Sequence, residues 1–246
     1  MLRMPIAVLA VLMGLSAPAI SGQTNVAVAA NFTEPAKQIA ALFKEKTGHD
    51  AILSFGASGQ FLTQITNDAP FQVFLSADAD RPKAAIAAGY AVPGTLFTYA
   101  IGKLVLWSAV LDVTNGEDAL KAGSFAHLAI ANPSAAPYGA AAIETMKALG
   151  VYDALVAKVV QGNSIAQAFQ FVDTKNAEVG FVALSQLKAV TAGTRWLVPQ
   201  GLYTPIRQDA VLLKKGENDE ASKAFLEFLK GAEAHAIIEK YGYGFD

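Results

Sequence analysis

Cysteine is absent from all 246 residues, so the chain can form no disulfide, has no thiolate for catalysis, and offers no lipid-attachment cysteine behind its apolar N-terminal run. Histidine is scarce: His49, His127 and His235 lie far apart and lack zinc-site spacing, which reads them as structural or surface residues. Excess positive charge is also missing. The 19 basic and 21 acidic residues leave a formal charge of −2, which argues against a nucleic-acid surface, because such a surface must neutralise phosphates. There is no G-x-x-x-x-G-K-[ST] phosphate loop, so any ATP is hydrolysed by another subunit, and "GASGQ" at 56–60 is not the G-x-S-x-G nucleophile elbow. Low-complexity segments and sequence repeats are absent too.

What is present begins with "MLRMPIAVLAVLMGLSAPAISG": a basic residue at Arg3, an apolar run, then small residues. This is the layout of a secretory signal peptide, and the run from Pro5 to Leu15 is shorter than the roughly 20 residues that span a bilayer. Residues 1–22 are therefore expected to be removed near Gly22, leaving an extracytoplasmic protein free of a lipid anchor. Since that segment holds one basic and no acidic residue, the formal charge of the remainder is about −3. Any anion bound by this chain must be held by local geometry, not overall charge.

With 53% apolar and 16% charged residues the chain reads as an ordinary globular protein. "NVAVA", "DAILSF" and "FQVFLSA" each precede a helical pattern, ending near Lys46, Asn67 and Ala88. A second group repeats this order: "HLAIA" before a helix ending near Leu149 with Gly150 as its C′ residue, "KVVQ" before a helix near 164–173, and "EVGFVA" before one near 185–192. This is βαβ order, hence two α/β units with mainly parallel strands. Two apolar extended segments, 97–109 and 205–213, are predicted to be long strands passing between them, and a patterned helix over 220–242 closes the chain.

Four places share one feature, a small polar residue or glycine at a strand end opening a helix: "AANFTEP" (29–35), "FGASGQF" (55–61), "APYGAAA" (136–142) and "QGNSIAQ" (161–167). Asn31 or Thr33 caps the first helix, Ser58 the second, and Asn163 or Ser164 the fourth. A helix start carries unpaired N–H groups and about half a positive charge, which suits an anion without any lysine or arginine. Two of the four fall in each unit, and strand carboxyl ends in open α/β sheets face a ligand crevice, so all four could converge on one small anion.

These segments, with "FLSADADRP", "YAIGKLVLWS" and "GFVALSQL", resemble the periplasmic molybdate-binding proteins of ATP-driven importers over essentially the whole mature chain. The resemblance implies an α/β, two-lobed periplasmic binding protein fold of type II, with mixed, mainly parallel sheets joined by two crossover strands. It divides the chain into lobe one, 23–101 plus 209–246, and lobe two, 102–208. It implies capture of molybdate or tungstate and delivery to the transmembrane subunits of an ABC-type permease with a separate ATPase subunit. The chain would then be a monomer and not an enzyme, with no cofactor and no cation site. Its ligand-contacting positions fall on Ala30, Asn31, Ser58, Tyr138 and Ile165. Many members have serine where Asn31 stands, alanine where Tyr138 stands, and a binding tyrosine where Ala183 stands. The sequence resembles a branch in which Tyr138 supplies the phenol, and Ala183 is left out of the site.

Other readings are a binding protein for sulfate, phosphate or a small organic anion, and a secreted serine hydrolase using Ser58. Asp78 and Asp80 in "SADADRP" could ligate a metal, though a strand end followed by a capping aspartate and proline accounts for them. Trp107 and Trp196 could form a sugar platform, though apolar neighbours place both in core or hinge packing.

Overall fold

The computed structural model describes residues 21–245, so nearly all of the expected signal peptide lies outside the described residues. Ten strands run in chain order: β1 Gln23–Ala29, β2 Asp50–Gly56, β3 Val73–Leu75, β4 Phe97–Gly102, β5 Leu104–Ser108, β6 Leu128–Ala131, β7 Val159–Gly162, β8 Val179–Ala183, β9 Thr194–Leu197 and β10 Ile206–Leu212. The helices are α1 Thr33–Thr47, α2 Ser58–Thr66, α3 Asp80–Ala87, α4 Gly116–Ala122, α5 Pro137–Ala148, α6 Tyr152–Leu155, α7 Ile165–Asp173, α8 Glu220–Leu229 and α9 Ala232–Lys240. No helix among the described residues is long and apolar enough to cross a membrane.

The strands form two five-stranded sheets, ordered β2-β1-β3-β10-β4 and β7-β6-β8-β5-β9. In each, three strands pair in parallel through helical crossovers and two more pair antiparallel. The inner strand β1 is covered on both faces, and its Val26, Ala27 and Val28 are fully buried. That is why "NVAVA" reads as a continuous apolar run and not an alternating one. Each buried Val, Leu or Phe side chain contributes about 1.5–3 kcal/mol, and strands and helices both supply the two cores.

The segment 97–109 does not form a single strand. β4 lies in the first sheet and β5 in the second, with Lys103 between them as the crossing point. β10 stays wholly in the first sheet, so the return crossing is made by the irregular 198–205 stretch. The helix expected over 185–192 is a 3-10 turn, Leu184–Leu187, because Gln186 folds its side chain back to accept from the Ala183 N–H (2.9 Å). The closing helix is two, α8 and α9, broken at Gly231, whose extended backbone (φ −76, ψ 158) cannot continue a helix. Strand β9 and helix α4 carry too weak a pattern to be read from the sequence.

Gly139 shows how tightly the second lobe positions its binding helix. A Cβ there would lie 2.1 Å from the Ala131 carbonyl oxygen, so only glycine lets α5 sit this close to the end of β6.

Candidate functional site

Four chain segments meet where the lobes face each other: the 3-10 turn Ala30–Phe32 that leads into α1, and the starts of α2, α5 and α7. Ala30, Asn31, Ser58, Tyr138 and Ile165 all line one small, tight cavity between the lobes, completed by residues such as Gly56, Ala57 and Ala136. Its walls are withdrawn from solvent, with Ser58 and Tyr138 each 1% exposed. No charged side chain lines it.

The local reasons differ from segment to segment. Asn31 does not cap α1, because it sits inside the 3-10 turn; Thr33 Oγ1 donates to the Ala30 carbonyl at 2.8 Å. Ser58 is the first residue of α2, and its Oγ accepts from the Ala77 N–H at 2.9 Å, which leaves its hydroxyl hydrogen free to donate. Pro137 opens α5, where its missing N–H costs nothing, and so places Tyr138 in the first turn. Ser164 caps α7 by accepting from the Gln167 N–H, so Ile165 is the first helical residue, a position whose N–H has no intrahelical acceptor.

Sequence reasoning missed the polar network behind the cavity. Asn31 Nδ2 donates to Gln208 Oε1 (2.8 Å) and to Tyr243 Oη (3.0 Å). The Asn31 carbonyl accepts from Ser185 Oγ and from Tyr243 Oη, both at 2.8 Å, and the first of these joins the two lobes directly. Gln208 Nε2 donates to Tyr138 Oη at 3.3 Å. Both amide hydrogens of Asn31 are thus directed away from the cavity, and its remaining contribution there is backbone. A fully buried glutamine in the apolar strand "IRQDAVLL" was the one available signal. Burial raises the phenols of Tyr99, Tyr138 and Tyr243 above their ordinary pKa, so all three remain neutral donors.

On the opposite flank, Gly59 N–H donates to the Ala135 carbonyl (2.9 Å) and Arg81 Nη2 to the Ser134 carbonyl (2.7 Å). Asp78, one residue before the α3 cap position, accepts from the Arg81 N–H and pairs with its guanidinium, and so holds this clasp. Among the described residues no group of His, Asp or Glu is arranged to hold a metal ion. Trp107 is buried and stacks on Phe169 at 5.1 Å, which removes it as a platform. A wider cleft beside the cavity carries Asp78, Lys83, Glu144 and Arg207, but both charge signs mix there.

Two α/β lobes closing over a buried, uncharged, donor-lined cavity define a solute-binding protein of the two-lobed kind. The chain belongs to the bacterial extracellular solute-binding protein family, whose profile matches residues 24–244. It is 60% identical over 242 residues to the molybdate-binding protein ModA of Rhodobacter capsulatus, covering 98% of this chain and 96% of that one. It is 52% identical over 234 residues to the molybdate-binding protein ModA of Azotobacter vinelandii, covering 94% and 93%. A solved periplasmic molybdate-binding protein of Azotobacter vinelandii has the same fold, with a TM-score of 0.87 and 40% identity over 91% of this chain and 99% of that chain.

Proposed function

We infer that this chain is the molybdate-binding component of an ABC-type importer, holding the oxyanion between its lobes for transfer to the membrane subunits. The observation that carries the reading is the convergence of four helix or turn starts on one buried cavity without charged side chains. Each helix start presents about half a positive charge, so four of them approach the two negative charges of a tetrahedral dianion. Backbone N–H groups from the Ala30–Asn31 turn and from Ile165, with the hydroxyls of Ser58 and Tyr138, are the proposed contacts. An anion that bridges both lobes favours the closed form by its differential affinity for it.

A site made only of donors fits a fully deprotonated dianion, molybdate or tungstate alike. Hydrogen phosphate brings an O–H that would face another donor. The hydrolase reading has little support, since no histidine or carboxylate lines the cavity to take a proton from Ser58. The family and the periplasmic relative support an exported, extracytoplasmic protein, and we take it to act as a monomer without a resident cofactor.

A thermal-shift panel tests the ligand class. Molybdate or tungstate at about 100 times its Kd should add about 2.7 kcal/mol, roughly 5–10 °C for a chain of this size. Stabilisation by sulfate or phosphate at low concentration, with none by molybdate, would overturn the assignment. Tyr138→Phe keeps the packing and removes the hydroxyl. It should weaken molybdate binding by about 1–3 kcal/mol in a calorimetric titration. Unchanged affinity would remove the phenol from the site.

A further inference from the structure

The hydrogen bonds behind the cavity have a direction, and it is set by a group that cannot reverse. The backbone carbonyl of Asn31 can only accept. Tyr243 Oη, 2.8 Å away, donates to it, so the oxygen of that phenol is left to accept, and Asn31 Nδ2 lies 3.0 Å from it. The second hydrogen of the same amide goes to Gln208 Oε1 at 2.8 Å. Reversing Gln208 would set its NH₂ against the NH₂ of Asn31. The Tyr99 hydroxyl, 3.1 Å from Oε1, has one hydrogen and also faces the Ser76 carbonyl at 3.0 Å, so it does not decide the orientation. Amide orientations are read from such networks, and here the fixed Asn31 carbonyl sets the orientation of both amides. Gln208 Nε2 is therefore the atom that faces Tyr138 Oη, at 3.3 Å. Once the phenol oxygen accepts from it, the phenol hydrogen must point elsewhere, either to the neighbouring Tyr243 oxygen or into the cavity that Tyr138 lines, where a bound anion is the stronger acceptor.

Gln208 is fully buried on β10, opposite Ala100 and beside a register shift, where an apolar side chain would be the ordinary occupant. We propose that Gln208 is a positioning residue for anion capture, turning the Tyr138 hydroxyl hydrogen into the cavity so that this point of the pocket offers a donor and never an acceptor. The proposal rests on Tyr138 donating to the oxyanion. It assigns discrimination against protonated oxyanions to a residue on β10 of the first sheet, across from α5.

The test is a double-mutant cycle in molybdate titrations of the whole mature protein: wild type, Gln208→Met, Tyr138→Phe and the pair. Gln208→Met should weaken binding by about tenfold, the loss of roughly one hydrogen bond to the ligand. The pair should bind within about twofold of Tyr138→Phe alone, since Gln208 acts through the phenol. Additive losses, or wild-type affinity in Gln208→Met while Tyr138→Phe is weakened, overturn the proposal and leave the ligand assignment standing. Wild-type affinity in Tyr138→Phe removes the donor role of the phenol and the proposal with it.

Gln208→Glu, of the same size, is the second arm and serves also if the methionine variant fails to fold. Its carboxylate only accepts and would draw the phenol hydrogen away from the cavity. Affinity should be well below wild type at pH 8 and rise toward pH 5.5, as the carboxyl gains a proton it can donate to Tyr138. The wild type over the same range is the control for Asp209, next in the chain, whose carboxylate accepts from Thr98 Oγ1 at 2.7 Å. The phenols of Tyr99, Tyr138 and Tyr243 stay protonated throughout. A Gln208→Glu affinity that does not change with pH overturns the proposal.

Discussion

Ser58→Asp should reduce molybdate affinity by at least about 1,000-fold while leaving the ligand-free protein folded. Ser58 lines the cavity at the first position of α2, and no cation stands among the lining residues to balance a carboxylate. Two unit charges about 4 Å apart repel by about 4 kcal/mol at an effective dielectric constant near 20, and a dianion doubles that. A loss of roughly 4 kcal/mol already corresponds to 1,000-fold, so the estimate is conservative. The fold is expected to tolerate the change. An aspartate in the first turn complements the helix dipole, and it can accept from the Ala77 N–H as Ser58 Oγ does. Ser58→Ala, which removes one donor without adding charge, should lose far less. If Ser58→Asp binds within 100-fold of wild type in a calorimetric titration, the anion does not sit beside Ser58.

The second large effect is expected from Gly102→Ala, a methyl group placed where the lobes meet. Gly102 ends β4, and a Cβ built there would lie 2.1 Å from Tyr138 Oη and 2.6 Å from Gln208 Nε2. Tyr138 is packed on all sides, so it cannot swing away within the closed arrangement. Overpacking of this kind costs about 1–3 kcal/mol. The contact with Tyr138 joins β4 of one sheet to α5 of the other lobe, and separating the lobes relieves it; the Gln208 amide, on the paired strand β10, has only to shift its flexible end. The cost should therefore fall on closure, not on folding. Molybdate affinity should drop by about 10- to 100-fold, with the ligand-free melting temperature within a few degrees of wild type. Wild-type affinity would show that Tyr138 does not need its place against β4 to hold the anion.

Much of this architecture could be read along the chain, because the signals were local. The βαβ order follows from continuous apolar runs bounded by helical periodicity, and the runs became β1, β2, β3, β6, β7 and β8. Gly150, at φ +70, ends the α5 region as its C′ position predicted. The errors arose where local pattern competes with tertiary contact. Residues 97–109 look like one strand because the apolar run is nearly continuous, with β5 buried throughout and β4 in part, yet the chain changes sheets at Lys103. Residues 220–242 keep a helical stripe across Gly231, but the backbone there is extended. Asn31 looked like a cap because asparagine before a helix usually is one, and the 3-10 turn gave its side chain a different task.

What the sequence by itself determined was the set of four helix starts, because a strand end, a small residue and a new helical stripe all occur within about seven residues of one another; the five positions within them followed from the family resemblance. What only the tertiary structure decided was how those positions are held. Gln208 meets Tyr138 across 70 residues, Ser185 meets Asn31 across 154, and Tyr243 meets Asn31 across 212. No periodicity in a single segment encodes partners at such separations. They are brought together when two sheets of the same strand order fold toward one another, and the hydrogen-bond direction at Tyr138 is settled only there.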